Sequence, residues 1–376
     1  MNVSIKTCNL ELNSCFFLIL DAGYLDIDSI RNIDEALQCN KGLLSQAKLL
    51  IPMAIDNYFP ATLGTAEVKS WLINRRISLT KMSFSPISGW SGGILVDNDF
   101  TKLVALSHNL VNCNLDSNVH ITDASIGLLL NSCSNLQALC IKYVVRFNGS
   151  GFLLSTTMLP HLKKLDLRGC LHLHDDGIAA FTKRIPNLKE IAFADSQRVI
   201  DITVIELARN CCQLEGIHFD RMIHITDDSI SLLVGKCHNL REITLKALYN
   251  VRENFTTIKV SSSCFLLQKF IIRTLDKVFG IEDSTVKELV KCCPMMNTLH
   301  LYSDHKDSES KITANSILEI SKLVNLVSLR IHVTSNAIVT DSMKHLVKEC
   351  TKLECAEVRR KGDEFLGDWN YCMMSL

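Results

Sequence analysis

Histidine and cysteine are the residue types in this sequence best suited to metal binding or nucleophilic chemistry, and the chain contains 12 histidines and 16 cysteines. His120, His172 and His224 are evenly spaced along the chain, and His174 forms a His-x-His pair with the second of them. If that spacing corresponds to two repeats of a parallel sheet, neighbouring members lie about 10 Å apart. One zinc ion with ligands at about 2 Å cannot hold two of them. We therefore expect polar turn residues, and no metal site.

The cysteines also lack a recognisable catalytic or zinc-binding arrangement. Cys211-Cys212 and Cys292-Cys293 are adjacent pairs rather than C-x-x-C motifs. We expect each pair at a helix end with one thiol in the core. No phosphate-binding loop, dinucleotide fingerprint or nucleophile elbow occurs in the sequence. The sequence thus predicts no catalytic residue and no cofactor, and a cysteine-dependent hydrolase is the least favoured class.

Composition and charge exclude further classes of protein function. The formal net charge is zero over 376 residues, which gives no bulk attraction to nucleic acid or anionic lipid. The apolar run 15–20 is too short for a signal peptide, and no run is long enough to span a membrane. Scattered cysteines then favour a reducing compartment, cytoplasmic or nuclear. There we expect buried, reduced thiols at the following positions: Cys133, Cys211, Cys237 and Cys292.

The histidines and cysteines lie within a sequence repeat of 26 residues, and this repeat determines where the fold places them. Its kernel, L-x-x-L-x-L with Ile or Phe as variants, begins at Leu136, Leu162, Leu188, Leu214 and Leu240. This period and kernel predict an α/β leucine-rich-repeat solenoid over residues 83–376. We expect a horseshoe of about ten repeats of roughly 26–30 residues, with a parallel sheet on the concave face and helices outside. One buried column should contain Leu165, Leu167, Ile217, Phe219, Ile243 and Leu245.

Helix starts recur with the same period. Asp123, Asp175, Asp201 and Asp227 stand where each strand should give way to a helix. We expect the aspartate, or the threonine before it, to cap the first turn of its own helix. Residues 146–157 lack this signal and should form an irregular helix or loop. The period loosens after Leu267, but helices are still predicted at 283–292, 313–320 and 341–350.

The cysteines near the repeat junctions and the recurrent Ile-Thr-Asp segments, as at Ile121 and Ile225, resemble the cysteine-containing repeats of F-box/leucine-rich-repeat proteins and of their antagonist-of-mitotic-exit-like relatives. Residues 1–82 show no repeat and should form short helices. Within them, residues 20–34, with Tyr24-Leu25-Asp26, resemble the middle of an F-box. The resemblance implies a non-catalytic substrate-recognition subunit of a cullin-type (SCF) ubiquitin ligase. A Skp-type adaptor would then bind Leu20, Leu25, Ile27, Ile30 and Ile33.

The protein substrate would bind the concave face of the repeats. Outward strand positions there carry basic and aromatic side chains suited to interfaces. The candidates for partner binding are Lys164, Arg168, His218, Lys246, Arg273, His300, Tyr302 and Arg330. We expect a monomer within a hetero-complex, with no nucleic acid and no membrane. The alternative is a leucine-rich-repeat scaffold or inhibitor, with a plain helical cap at residues 1–82 and no ligase connection.

Overall fold

The protein is described by a computed structural model, in which residues 78–84, 95–275, 278–305, 308–334 and 339–359 are described, with a few more between 70 and 76. The chain divides into two compact units, Met1–Leu162 and Lys163–Leu376. The expected helical region 1–82 lies almost entirely outside the described residues, so its boundary with the repeats stays a prediction.

From residue 78 on, where the first unit is described, it contains three parallel strands and three helices, which alternate along the chain. The strands are β1 (Lys81–Ser83), β2 (Asn112–Asn114) and β3 (Ala138–Cys140), paired in that order. The helices are α1 (Asp97–Leu106), α2 (Asp123–Ser132) and α3 (Ser150–Leu154), and each contacts the next. The five-residue α3 confirms the irregular helix expected at 146–157.

The second unit repeats the same strand–helix alternation. Its strands are β4 (Lys164–Asp166), β5 (Glu190–Ala194), β6 (Gly216–Asp220), β7 (Glu242–Lys246), β8 (Lys269–Thr274), β9 (Val278–Glu282), β10 (Thr298–Ser303), β11 (Glu309–Lys311), β12 (Ser328–His332) and β13 (Cys355–Arg359). Within this unit, all strands except β9 and β11 form one parallel sheet in chain order, and these two pair with each other. The helices are α4 (Asp175–Thr182), α5 (Asp201–Asn210), α6 (Asp227–Lys236), α7 (Glu253–Ser263), α8 (Asp283–Cys292), α9 (Ala314–Ile320) and α10 (Thr340–Glu349).

Strand register explains why the period loosens. Lys164, Glu190, Gly216 and Glu242 are register partners, each one regular period after the last. The following steps, to Lys269, Thr298 and Ser328, become progressively longer. The additional residues of the two longest steps contain β9 and β11, which pair beside the main sheet. The longer repeats therefore add a second strand without disturbing the register of the first.

The repeated leucines form the core, as expected. Leu165, Leu167, Ile217, Phe219, Ile243 and Leu245 are all at most 3% exposed. Consecutive helices of the second unit contact one another from α4 to α10. Both units are thus built from leucine-rich repeats, and the α/β solenoid fold is confirmed. None of the helices in the described ranges has the length and apolar character needed to cross a bilayer.

The aspartates at the helix starts do not cap their own helices, which corrects the expectation from the sequence. Asp123 accepts hydrogen bonds from the amides of Asn148 and Gly151, which belong to the next repeat. Asp201 does the same for Thr226, and Asp283 for Thr313. Each carboxylate therefore satisfies amides at the start of the following helix, where free donors and the helix dipole both favour an anion.

The cysteines link the other ends of the helices. Cys133, Cys237 and Cys293 each follow the last residue of a helix, and all three are buried. Their thiols donate to the carbonyl oxygens of Ser107, Cys211 and Cys264, each of which follows the preceding helix. Sulfur–oxygen distances of 3.4–3.7 Å suit these weak bonds. Small buried thiols thus help to join consecutive repeats.

The structure tests the predicted burial of the cysteines and the predicted turn positions of the histidines. Cys133, Cys211 and Cys237 are buried with free thiols, as expected. Cys292 is only partly buried, and its neighbour Cys293 lies in the core instead, so the prediction for Cys292 was wrong. The reason is that Cys293, not Cys292, follows the end of α8 and turns inward. The expected turn positions are confirmed for His120 and His172, whereas His224 forms an isolated parallel bridge with Ile200.

One residue in each regular repeat has a left-handed backbone. In the second unit these are Gly169, Asp195, Arg221 and Ala247, with φ between 50° and 73°, at the same position of successive repeats. In the first unit, Ser117 and Tyr143 are spaced in the same way. This conformation costs a non-glycine residue roughly 1–2 kcal/mol. It ends each strand and turns the chain toward the next helix.

Candidate protein-binding surface

Strand alternation in the second unit gives a surface opposite the core, which we call the outer sheet face. It consists of three rows of side chains that cross the main sheet. The first row contains Lys164, Glu190, Gly216, Glu242, Lys269, Thr298, Ser328 and Cys355. The middle row contains Asp166, Ala192, His218, Thr244, Ile271, His300, Arg330 and Glu357. The third row contains Arg168, Ala194, Asp220, Lys246, Arg273, Tyr302, His332 and Arg359.

All eight residues that the sequence analysis named as partner-binding candidates lie in these rows. Three of them are close together: the rings of His300 and Tyr302 are 6.4 Å apart, and Tyr302 is hydrogen-bonded to Arg330. His218 and Lys246 are in adjacent strands, one row apart. Lys164 lies at the beginning of β4, away from this group. The five apolar residues expected to bind an adaptor, from Leu20 to Ile33, lie outside the described residues, and their role stays a prediction.

Ion pairs organise most of the charge on the outer sheet face. Lys164 pairs with Glu190 at 2.7 Å, Arg168 with Asp166 at 2.7 Å, and Lys269 with Glu242 at 3.4 Å. Further along the sheet, Arg273 pairs with Asp304, and both Arg330 and Arg359 pair with Glu357. The exposed pairs among them, such as Lys164 with Glu190, add little stability. They do hold long side chains in defined positions that a partner can recognise.

The cluster around Tyr302 is an enclosed part of this face. Tyr302 is only 5% exposed, and burial raises the pKa of its hydroxyl. It lines a shallow depression with Arg330, Ile331, Glu357 and Arg359. His300 Nε2 is hydrogen-bonded to Ser328 Oγ at 2.8 Å. Tyrosine and arginine are the side chains most enriched in binding hot spots, and here they lie together.

Two histidines on the face are neutral at physiological pH. Burial lowers the pKa of His218 to about 4, and the nearby charges of Lys246 and Arg168 act in the same direction. Burial likewise lowers the pKa of His300 to about 4, assisted by Arg330. Each imidazole therefore offers one hydrogen-bond donor and one acceptor to a partner, but no charge.

Sequence reasoning missed several members of this surface. Arg359 and His332 occupy the third row, where alternation along their strands would have placed them. Asp304 lies beyond the end of β10, so no strand pattern indicates its pairing with Arg273. No set of three or more His, Cys, Asp or Glu residues suited to a metal ion occurs in the described part of the chain.

Comparison with known proteins supports the fold. No protein-family model matches the sequence, and no curated protein matches it either. In structure, the chain is similar to Rad7 in the crystal structure of the Rad7 and Elc1 complex in yeast. The TM-score is 0.56 and the sequence identity 17%, over 89% of this chain and 80% of that chain. At this level of identity, the likeness shows a shared fold.

Proposed function

We propose that this protein is the non-catalytic substrate-recognition subunit of a cullin-type ubiquitin ligase. The observation that carries the substrate-binding part is the outer sheet face, where Tyr302, Arg330 and His300 form an ordered polar and aromatic cluster. Solenoids use such continuous faces to bind other proteins. Rad7, which has a similar fold, is found in a complex with Elc1. This agrees with a role within a hetero-complex.

The adaptor-binding part of the proposal rests on the resemblance of residues 20–34 to an F-box. Apolar side chains such as Leu25 and Ile30 would bind a Skp-type adaptor, while the outer sheet face holds the substrate. The protein then acts by proximity, because it raises the local concentration of substrate beside a ubiquitin-charged enzyme. No side chain of this chain needs to take part in the chemistry.

The adaptor is tested with the purified full-length chain and a purified Skp-type adaptor in a pull-down. The unmutated protein should bind, and Leu25→Asp or Ile30→Asp should abolish binding, because a charge buried in an apolar contact is strongly unfavourable. Circular dichroism should show unchanged folding of the repeats. If the unmutated chain does not bind the adaptor, the ligase role is rejected, and a leucine-rich-repeat scaffold or inhibitor becomes the better description.

The substrate-binding face is tested separately, by affinity capture from cells followed by mass spectrometry. Arg330→Ala removes a cation from the cluster around Tyr302, whereas Arg209→Ala removes one from the surface of α5, where it pairs with Glu206. The proposal expects the first variant to lose captured proteins that the second retains. Identical captured sets from both variants would place binding elsewhere.

A further inference from the structure

Lys246 differs from the other cations of the outer sheet face. Lys164, Arg168, Lys269, Arg273, Arg330 and Arg359 all have a carboxylate partner on this face or beside it. Within the described portion of the chain, no carboxylate lies within ion-pair distance of Lys246. Asp220 is its register partner on β6, but Arg221 Nη1 lies 3.3 Å from the Asp220 carboxylate. The face therefore presents one lysine whose charge is not matched.

The surroundings of Lys246 make a new carboxylate favourable. Burial lowers the pKa of its ammonium group, and although Asp220 opposes this, Arg273, Lys269 and Arg168 add repulsion. A half-buried cation surrounded by other cations gains more from an incoming anion than an exposed lysine does. The ammonium would replace lost water contacts with a charge-assisted hydrogen bond.

A hydroxyl group lies beside this cation. Thr244 is on the same face, two residues before Lys246, and is only 4% exposed. Its hydroxyl makes no hydrogen bond with any residue in the described ranges. The hydroxyl oxygen keeps some solvent contact, so a ligand at this surface can take the place of water as its hydrogen-bond partner. Thr244 and Lys246 thus offer two neighbouring donors to one acceptor group.

The strands beside these donors leave room for a polypeptide backbone. Beyond Glu190 at its start, β5 carries only Ala192 and Ala194 on the outer face, and Gly216 begins that face of β6. No side chain at these three positions extends beyond a methyl group. Asp220 lies directly between Ala194 and Lys246 in the third row, and His218, whose imidazole is neutral at physiological pH, lies beside it in the middle row. A partner segment can therefore approach the sheet closely on the side of Lys246 that faces β5.

We infer that Lys246 and Thr244 bind a side-chain carboxylate of the partner protein, in an extended segment with a single acidic residue that crosses Ala192, Ala194 and Gly216. This inference rests on the proposed function, because it specifies which partner segment the outer sheet face accepts. A singly charged aspartate or glutamate fits better than a phosphorylated residue. Asp220 is the register partner of Lys246 and Glu242 begins the same strand as Lys246, so a second negative charge on the ligand would be repelled.

The test selects short peptides from a random library for binding to the purified full-length chain. The selected peptides are then synthesised, and their affinity is measured by fluorescence anisotropy. The selected peptides should share one aspartate or glutamate, and replacement of it by the amide should weaken binding roughly tenfold. Lys246→Met should cause the same loss, and the two changes together should cost little more than either alone. Lys269→Met, on the adjacent strand but paired with Glu242, is the matched control and should change affinity little.

Several results would overturn the inference: no selected peptide, peptides without a shared acid, unchanged affinity in Lys246→Met, or tighter binding when phosphoserine replaces the acid. A charge reversal adds a positive test, because Lys246→Glu should prefer the same peptide with lysine at the acidic position. Failure here is distinguishable from failure of the proposed function. The latter is decided by adaptor binding and by capture with Arg330→Ala, neither of which involves Lys246.

Discussion

The carboxylate of Asp201 accepts hydrogen bonds from both the backbone amide and the hydroxyl of Thr226, at 2.9 and 2.7 Å, although the two residues are 25 positions apart. Asp201 begins α5, and Thr226 precedes α6. The same relationship links Asp283 to Thr313 and Ser316. Helix capping in this protein is therefore an interaction between repeats, so loss of one aspartate weakens the junction with the following repeat.

Asp201→Ala tests this relationship. It removes a charged acceptor from two donors, which should lower the free energy of unfolding by about 1–3 kcal/mol. Asp228→Ala is the control, because Asp228 is an exposed acidic residue in the first turn of α6. It should cost less than about 0.5 kcal/mol. Urea denaturation followed by circular dichroism measures both, and equal effects would contradict the capping account.

Thiol reactivity should differ sharply between two adjacent cysteines. Burial raises the pKa of Cys211 to about 12, and its thiol contacts the carbonyl oxygens of Thr182 and Ile185. Cys212 is exposed. Alkylation of the native protein, mapped by mass spectrometry, should modify Cys212 quickly and leave Cys211 unmodified until denaturant is added, because thiolate character and access both control reactivity. Comparable labelling of the two would place Cys211 outside the core.

Stability should decline in mild acid because of the two buried histidines. His218 and His300 have folded-state pKa values of about 4, below the value of 6.5 expected when unfolded. Between these values the unfolded chain binds more protons, so the free energy of unfolding falls as pH decreases from about 6.5 to 4. His218→Gln and His300→Gln should each flatten this dependence in thermal denaturation, whereas His172→Gln in an exposed turn should not. An unchanged slope in both buried-site variants would show that these imidazoles titrate normally.

Two substitutions of glycine by alanine should change the free energy of unfolding in opposite directions. Gly169 has φ of 73°, so Gly169→Ala should destabilise the second unit by about 1–2 kcal/mol. Gly235 lies within α6, and a β-carbon added there meets nothing within 4 Å. Gly235→Ala should stabilise by about 0.5–1 kcal/mol, because alanine favours the helix. Denaturant midpoints measure both, and a neutral Gly169→Ala would contradict the left-handed turn.

Much of this architecture could be predicted from the sequence, because packing imposes a period on it. Leu165, Ile217 and Ile243 had to recur at the period of the repeat to share a core, and alternation then placed His218 and Lys246 outside. Strand β1 was not predicted from the sequence. Its kernel, Leu79 with Met82 and Phe84, precedes the kernel at Leu110 by more than one regular step, so the period does not reach it.

Other features could not be read from the sequence because they depend on distances between repeats. An aspartate at a helix start favours capping wherever it lies, so its pattern does not say that Asp201 serves Thr226. The left-handed turn was hidden because Asp195, Arg221 and Ala247 occupy it in place of glycine. The unmatched charge of Lys246 emerges only when the pairing of its neighbours is known.

The capping hydrogen bonds between repeats all have the same polarity along the chain. The carboxylate always comes from the earlier repeat and the amides from the later one, as for Asp227 and Arg252. During synthesis, which proceeds from the N-terminus, each new helix meets an acceptor that is already in place. Deletion from the C-terminal end leaves a carboxylate that water can solvate, whereas deletion from the N-terminal end leaves amides without their anion. Shortened forms of this protein should therefore tolerate trimming from the C-terminal end better than from the N-terminal end.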